Sequence, residues 1–97
     1  MEIELYINNI KLLIQQMDSA PLELKLQIFA TCSILLQRIQ DIQSENSYIG
    51  EKIVQILDHL ERECGLASEG RFVLNNTSAA LNKLEDINES FNNYSLI

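Results

Sequence analysis

The chain has 97 residues, of which 46% are hydrophobic and 22% are charged. This length suits a single domain with one modest core, and the composition is too apolar for a disordered chain. The 14 acidic and 7 basic side chains give a formal net charge of -7. Because such a chain repels phosphate backbones and anionic lipid headgroups, we expect no direct nucleic-acid binding and no membrane partner.

The first predicted helix covers residues 2 to 17 and carries a narrow apolar stripe. Members of the stripe recur at alternating spacings of four and three residues, which places them on one face of an α-helix. The pattern predicts a helix that buries a single face. The stripe consists of Ile3, Ile7, Ile10, Ile14 and Met17, with Tyr6 and Leu13 beside it.

The second predicted helix runs from about residue 20 to residue 43, with Ser19 as its N-cap and Pro21 in its first turn. Its uncharged stretch LQIFATCSILLQ, residues 26 to 37, is shorter than the ~20 residues that span a bilayer. Its apolar positions cover an arc of about 200°, about twice what a surface helix needs. We therefore expect this helix to be the central one. The positions are Leu22, Leu24, Leu26, Ile28, Phe29, Cys32, Leu35, Leu36, Ile39 and Ile42.

A third predicted helix begins with Ser47 as its cap and ends at the pair Gly65 and Leu66, a Schellman pattern. A fourth begins with Asn76 or Thr77 as its cap. Residues 65 to 76 lack helical periodicity and suit a loop, a short extended piece or one turn of helix. The apolar face of the third helix is Ile49, Ile53, Ile56, Leu57, Leu60 and Cys64, and that of the fourth is Leu81, Leu84, Ile87, Phe91 and Tyr94.

Strand signals are almost absent, because period-two alternation and Asn-Gly or Asp-Gly turns are missing. Short connections between amphipathic helices favour antiparallel neighbours. The sequence therefore predicts an all-α protein: a small antiparallel bundle of three to four helices, with the second helix central and residues 1–97 forming a single helical domain.

The residues that carry chemistry are scattered. Cys32 and Cys64 form no CxxC motif. If the helices that carry them form a hairpin that turns near residue 45, the two cysteines are offset by six residues, or about 9 Å along a helix axis. This distance is beyond the range of a disulfide bond. His59 has only Glu63 one turn away, which is too few ligands for a metal. We expect no catalytic residue, cofactor or metal site. The N-terminus MEIELYINNI lacks the features of a secretory signal, so we expect a cytoplasmic location.

Two apolar features remain once the core is assigned. Leu5 and Leu12 lie seven residues apart and nearly opposite the main stripe of the first helix, with Asn9 and Gln16 beside them. This spacing is that of a coiled-coil or dimer seam. Ile34 falls within the polar arc of the second helix. We assign these five residues to a partner-binding surface, although isolated exposed leucines are also common in monomers.

The unassigned apolar surface favours a non-enzymatic protein–protein interaction module, namely a small acidic chaperone or adaptor. The same profile occurs among secretion chaperones, adaptor subunits, antitoxins and phage-encoded inhibitors. The alternatives are an acidic inhibitor or regulator, including a nucleic-acid mimic, and a structural subunit of a larger complex. The expected partner is another protein, with a homodimer as one form of that association. An enzyme is the least favoured class.

Overall fold

The computed structural model describes residues 2–65 and 75–95. Within these ranges it contains four helices and no strand: α1 (Glu2–Met17), α2 (Leu22–Ile42), α3 (Ser47–Glu63) and α4 (Asn76–Ser95). The predicted all-α helical bundle is confirmed. Residues 66 to 74, which form most of the predicted connection between the third and fourth helices, lie outside the described residues. The side chain of Tyr94 also lies outside them.

The four helices form a closed ring in which each packs against two neighbours. Helix α1 contacts α2 and α4, and α3 also contacts α2 and α4. Adjacent helices are antiparallel, since Thr77 at the start of α4 hydrogen-bonds Asp18 just after α1, and Lys25 near the start of α2 pairs with Glu63 at the end of α3. This up-and-down ring is the arrangement that short connections favour.

One stripe of each helix faces the centre of the ring. The stripe predicted for α1 is buried along its whole length, with Ile10, Ile14 and Met17 fully enclosed. Because these residues recur at helical spacing, one face of each helix is removed from water while the other stays solvated. The remaining buried hydrophobic residues are Ile3, Ile7, Ile28, Cys32, Leu36, Ile39, Ile49, Ile53, Ile56, Leu60, Cys64, Ala80, Leu84 and Ile87.

Helix α2 does not occupy the centre that its wide apolar arc predicted. It contacts only α1 and α3, and it buries a narrow stripe like the other helices. A helix at one corner of a ring has neighbours on two sides only, so an arc of about 200° exceeds what they can cover. The excess apolar side chains of this arc therefore lie on the surface: Leu22, Leu24, Leu26 and Ile42.

The helix ends differ from the predicted caps by one or two residues. Pro21 is the N-cap of α2 and offers no side-chain hydrogen bond, so Ser19 does not cap it. The caps of α3 and α4 are Asn46, which accepts from the backbone N–H of Ile49 at 3.2 Å, and Asn75, which accepts from that of Ser78 at 2.9 Å. A cap must stand outside the helix in extended conformation, and Asn46 does so, whereas Ser47 is already helical.

Gly65 follows the C-cap of α3 with a φ of +74°, the left-handed conformation predicted for it. Its backbone N–H donates to the carbonyl of Arg62 at 3.0 Å. Side chains with a Cβ rarely adopt this conformation, so glycine is the residue that ends the helix here.

Candidate functional site

The side chains that carry chemistry are dispersed over the bundle. Among the described residues, no group of three or more His, Cys, Asp and Glu side chains is placed to hold a metal ion. The ring nitrogen Nδ1 of His59 lies 3.2 Å from the Asn76 side-chain oxygen and joins α3 to α4. This contact gives His59 a structural role between two helices.

Both cysteines are buried and free, as the sequence analysis expected. Burial raises the pKa of the Cys32 thiol from 9.0 to about 12. Burial also raises the pKa of Cys64, whose Sγ donates to the carbonyl oxygen of Lys25 at 3.5 Å. Since the thiolate is the nucleophilic form, both side chains behave at neutral pH as small apolar core residues.

The outer face of α1 is the clearest candidate for a binding surface. Leu5 and Leu12 are 58% and 57% exposed, which is high for leucines on a helix that buries its opposite stripe completely. Asn9 and Gln16, the amides assigned with them, are exposed as well. The structure therefore leaves this predicted set of residues uncovered on one face of one helix.

Ile34 lies on α2, which neighbours α1 in the ring. Helix α2 turns the flank that carries Lys25 and Gln40 toward α3, so its other flank faces α1. In an antiparallel hairpin that turns at residues 18 to 21, Ile34 is about level with Leu5, by a helix rise of about 1.5 Å per residue. Ile34 is 58% exposed. At about 100° per residue it points nearly opposite the buried stripe of α2, so it is a separate exposed apolar position.

Charge is distributed unequally between the two halves of the ring. Helices α1 and α2 together contain four acidic and three basic residues, whereas α3 and α4 together contain seven acidic and three basic residues. The half that exposes Leu5, Leu12 and Ile34 is thus nearly neutral. The opposite half carries most of the negative charge of the four helices.

Part of the acidic surface is neutralised within the chain. Asp58 accepts from Arg62 at 3.0 Å, and Asp86 pairs with Lys52 at 3.0 Å across the α3–α4 boundary. Glu63 pairs with Lys25 at 2.7 Å. These three carboxylates are already engaged with basic side chains, which reduces the charge available to an external basic partner.

An open groove of about 760 Å³ at the turn between α2 and α3 was not predicted from the sequence. Seven of its eight lining residues are consecutive in the chain, but the packing of Phe91 from α4 beside them is a tertiary contact that no sequence spacing reveals. Tyr48 stands at its wall with the Lys52 ammonium 5.3 Å from the ring centroid. The groove is lined by Ile42, Gln43, Ser44, Glu45, Asn46, Ser47, Tyr48 and Phe91.

Val54 on α3 is a further exposed apolar side chain that was not predicted from the sequence, and it is 67% exposed.

No helix in the described part of the chain combines the length and the hydrophobicity needed to cross a bilayer. Comparison of the chain with protein-family models, with curated proteins and with solved structures gives no match.

Proposed function

We propose that this protein is a non-enzymatic protein–protein interaction module of the chaperone or adaptor type, acting in the cytoplasm. It binds its partner through the outer face of α1, with Leu5 and Leu12 as the apolar contacts and Asn9, Gln16 and Ile34 beside them. The observation that carries the proposal is the exposure of two leucines seven residues apart on a face without charged residues.

The energetics of that face support binding. Burial of an exposed leucine contributes about 1.5 to 3 kcal/mol, so two leucines on one face provide a compact apolar contact. The neighbouring amides keep both a donor and an acceptor for hydrogen bonds across an interface. Since this face has no charge to desolvate, a partner can cover it without leaving a buried ion unpaired.

The experiment is affinity capture of the tagged protein from its own cells, comparing the wild type with the double variant Leu5→Glu and Leu12→Glu. We expect a stoichiometric partner in the wild type and its loss in the double variant. Val54→Glu is the control, because it puts a carboxylate on a comparably exposed apolar position of another helix. Capture and self-association that are both unchanged in the double variant would contradict the proposal.

The excess of acidic residues on α3 and α4 favours a second candidate, an inhibitor or regulator that occupies a basic groove. In that case partner binding weakens steeply with salt and slows when Glu51 and Glu61 are changed to Gln and Asp58 to Asn. Capture that resists salt and depends on Leu5 and Leu12 supports the first function over this one.

A further inference from the structure

The residues of α1 are arranged symmetrically about the midpoint between Asn8 and Asn9. Of the six residue pairs equidistant from this point between Ile3 and Ile14, four are identical: Ile3 and Ile14, Leu5 and Leu12, Ile7 and Ile10, Asn8 and Asn9. The isoleucine matches follow from the helical period of the core stripe. The leucine and asparagine matches lie on the outer side of the helix, where the core imposes no such order.

These outer residues form a face with local two-fold symmetry. At about 100° per residue, Leu5 and Leu12 point within about 20° of each other, and Asn8 and Asn9 lie about 50° to either side of them. All four side chains are exposed, and the two leucines are exposed to nearly the same extent, 58% and 57%. The face is directed almost straight away from the buried stripe of α1.

We propose that this face, defined by Leu5, Asn8, Asn9 and Leu12, binds a second copy of the chain as an antiparallel α1–α1 pair about a two-fold axis through its centre. The inference rests on the proposed function, because it names the partner of the same surface. A two-fold dimer requires a self-complementary patch. Here Leu5 of one copy meets Leu12 of the other, and each leucine pair occurs twice.

The asparagines fit the same geometry. The two-fold axis brings Asn9 opposite Asn9 of the second copy, and Asn8 opposite Asn8 of the second copy. A carboxamide carries both donors and an acceptor, so two identical amides hydrogen-bond reciprocally. A carboxylate or an ammonium at position 8 or 9 would lie opposite an identical charge in the second copy, and neither position is charged.

The charge distribution selects this side of the bundle for self-association. Two copies that each carry a net charge of -7 repel each other. Contact through α1 joins nearly neutral α1–α2 halves, whereas α3, which has no contact with α1 and holds four acidic residues, lies across the ring from the interface. Glu4 and Lys11 of α1 point about 90° or more away from the centre of the face.

A single pair of helices buries less than the ~1,200 to 2,000 Å² of a standard interface, so we expect a dissociation constant on the order of 10 μM for the dimer.

Sedimentation equilibrium over a wide range of protein concentrations tests for the dimer. The mass should rise with concentration from 11.1 kDa toward twice that value. Leu5→Glu with Leu12→Glu should weaken the dimer at least about 100-fold, and Val54→Glu should leave it unchanged. Circular dichroism checks that both variants keep their helices.

Cross-linking tests the direction of the pair. In the antiparallel dimer the two copies of residue 9 are offset by about 1.5 Å along the helix axis, and the two copies of residue 16 by about 22 Å. Asn9→Cys should therefore form a disulfide-linked dimer under mild oxidation, and Gln16→Cys should not. The wild type is the control, because its two cysteines are buried.

Three outcomes overturn the inference: a monomer at every concentration, a dimer that survives Leu5→Glu with Leu12→Glu, and cross-linking at both position 9 and position 16, which would indicate a parallel pair. Failure of the proposed function is a separate result. If the wild type is monomeric while capture of a different protein still requires Leu5 and Leu12, the binding module stands and only the second copy is excluded.

Discussion

Cys32 illustrates how burial controls the chemistry of a single residue. It is fully enclosed in the core, and the loss of hydration disfavours its thiolate enough to raise the pKa to about 12. An unfolded chain exposes the same thiol with an ordinary pKa. The unfolded state therefore releases the proton of Cys32 at a lower pH than the folded state, and this couples folding to alkaline pH.

We expect this coupling to destabilise the protein above about pH 9. A folded pKa above the unfolded value means that the native state retains a proton that the unfolded state loses, so stability falls as pH rises toward 12. Between about pH 8 and pH 10 the loss should be about 1.4 kcal/mol. Urea unfolding of the wild type and of Cys32→Ala measures it, because the variant lacks this contribution. Equal pH dependence in both proteins would contradict the assignment.

At the scale of one helix, α3 is delimited by residues outside its hydrogen-bonded ladder. Asn46 supplies a side-chain acceptor to the first turn, and Gly65 reverses the chain after the last. The backbone N–H groups of a first turn have no partner within the helix, so a side-chain oxygen in that place stabilises the end. A polar side chain stabilises the start of the helix in this way only at the N-cap position, so residue type alone does not identify the cap.

Asn46→Ala and Ser47→Ala separate the observed cap from the predicted one. Loss of the Asn46 oxygen should cost about 1 kcal/mol of unfolding free energy, because the N–H of Ile49 loses its acceptor. Ser47 is exposed and already helical, so its replacement should change stability by less than about 0.5 kcal/mol. Chemical denaturation of both variants gives the comparison. A larger effect at Ser47 than at Asn46 would restore the original prediction.

For the molecule as a whole, stability comes from four stripes that meet in one core. Polar contacts between distant parts of the chain accompany it, including Lys25 with Glu63 and Lys52 with Asp86. Lys25 and Glu63 are both only 18% exposed, so their pair is better shielded from solvent than a typical surface ion pair. The first pair joins the start of α2 to the end of α3, and the second joins inner positions of α3 and α4.

Ile10→Ala and Leu12→Ala compare the two faces of α1 in the folded monomer. Ile10 is fully buried, so its truncation leaves a cavity and should cost about 2 to 5 kcal/mol. Leu12 is 57% exposed, so its truncation should cost less than about 0.5 kcal/mol at concentrations where the chain is monomeric. Thermal unfolding followed by circular dichroism measures both. Similar losses at the two positions would mean that α1 packs in a different orientation.

The candidate surface was largely predictable, because exposure on α1 follows from local periodicity. Leu5, Leu12, Asn9 and Gln16 lie opposite a regular stripe, and a helix that buries one face must expose the other. Ile34 was predictable for the same reason. Its place on a helix adjacent to α1 required the structure, because it depends on which helices pack together.

The sequence by itself determined that the described residues form four helices, which stripe of α1 is buried, and that α3 ends just before Gly65, because these properties depend on residues within one or two turns. Only the tertiary structure decided how many neighbours each helix has. Apolar residues such as Leu24 and Ile42 are hydrophobic enough for a core, yet they remain exposed because, of the described helices, only α1 and α3 contact α2. Burial of a side chain depends on packing partners distant in the chain, and periodicity along one helix carries no information about them.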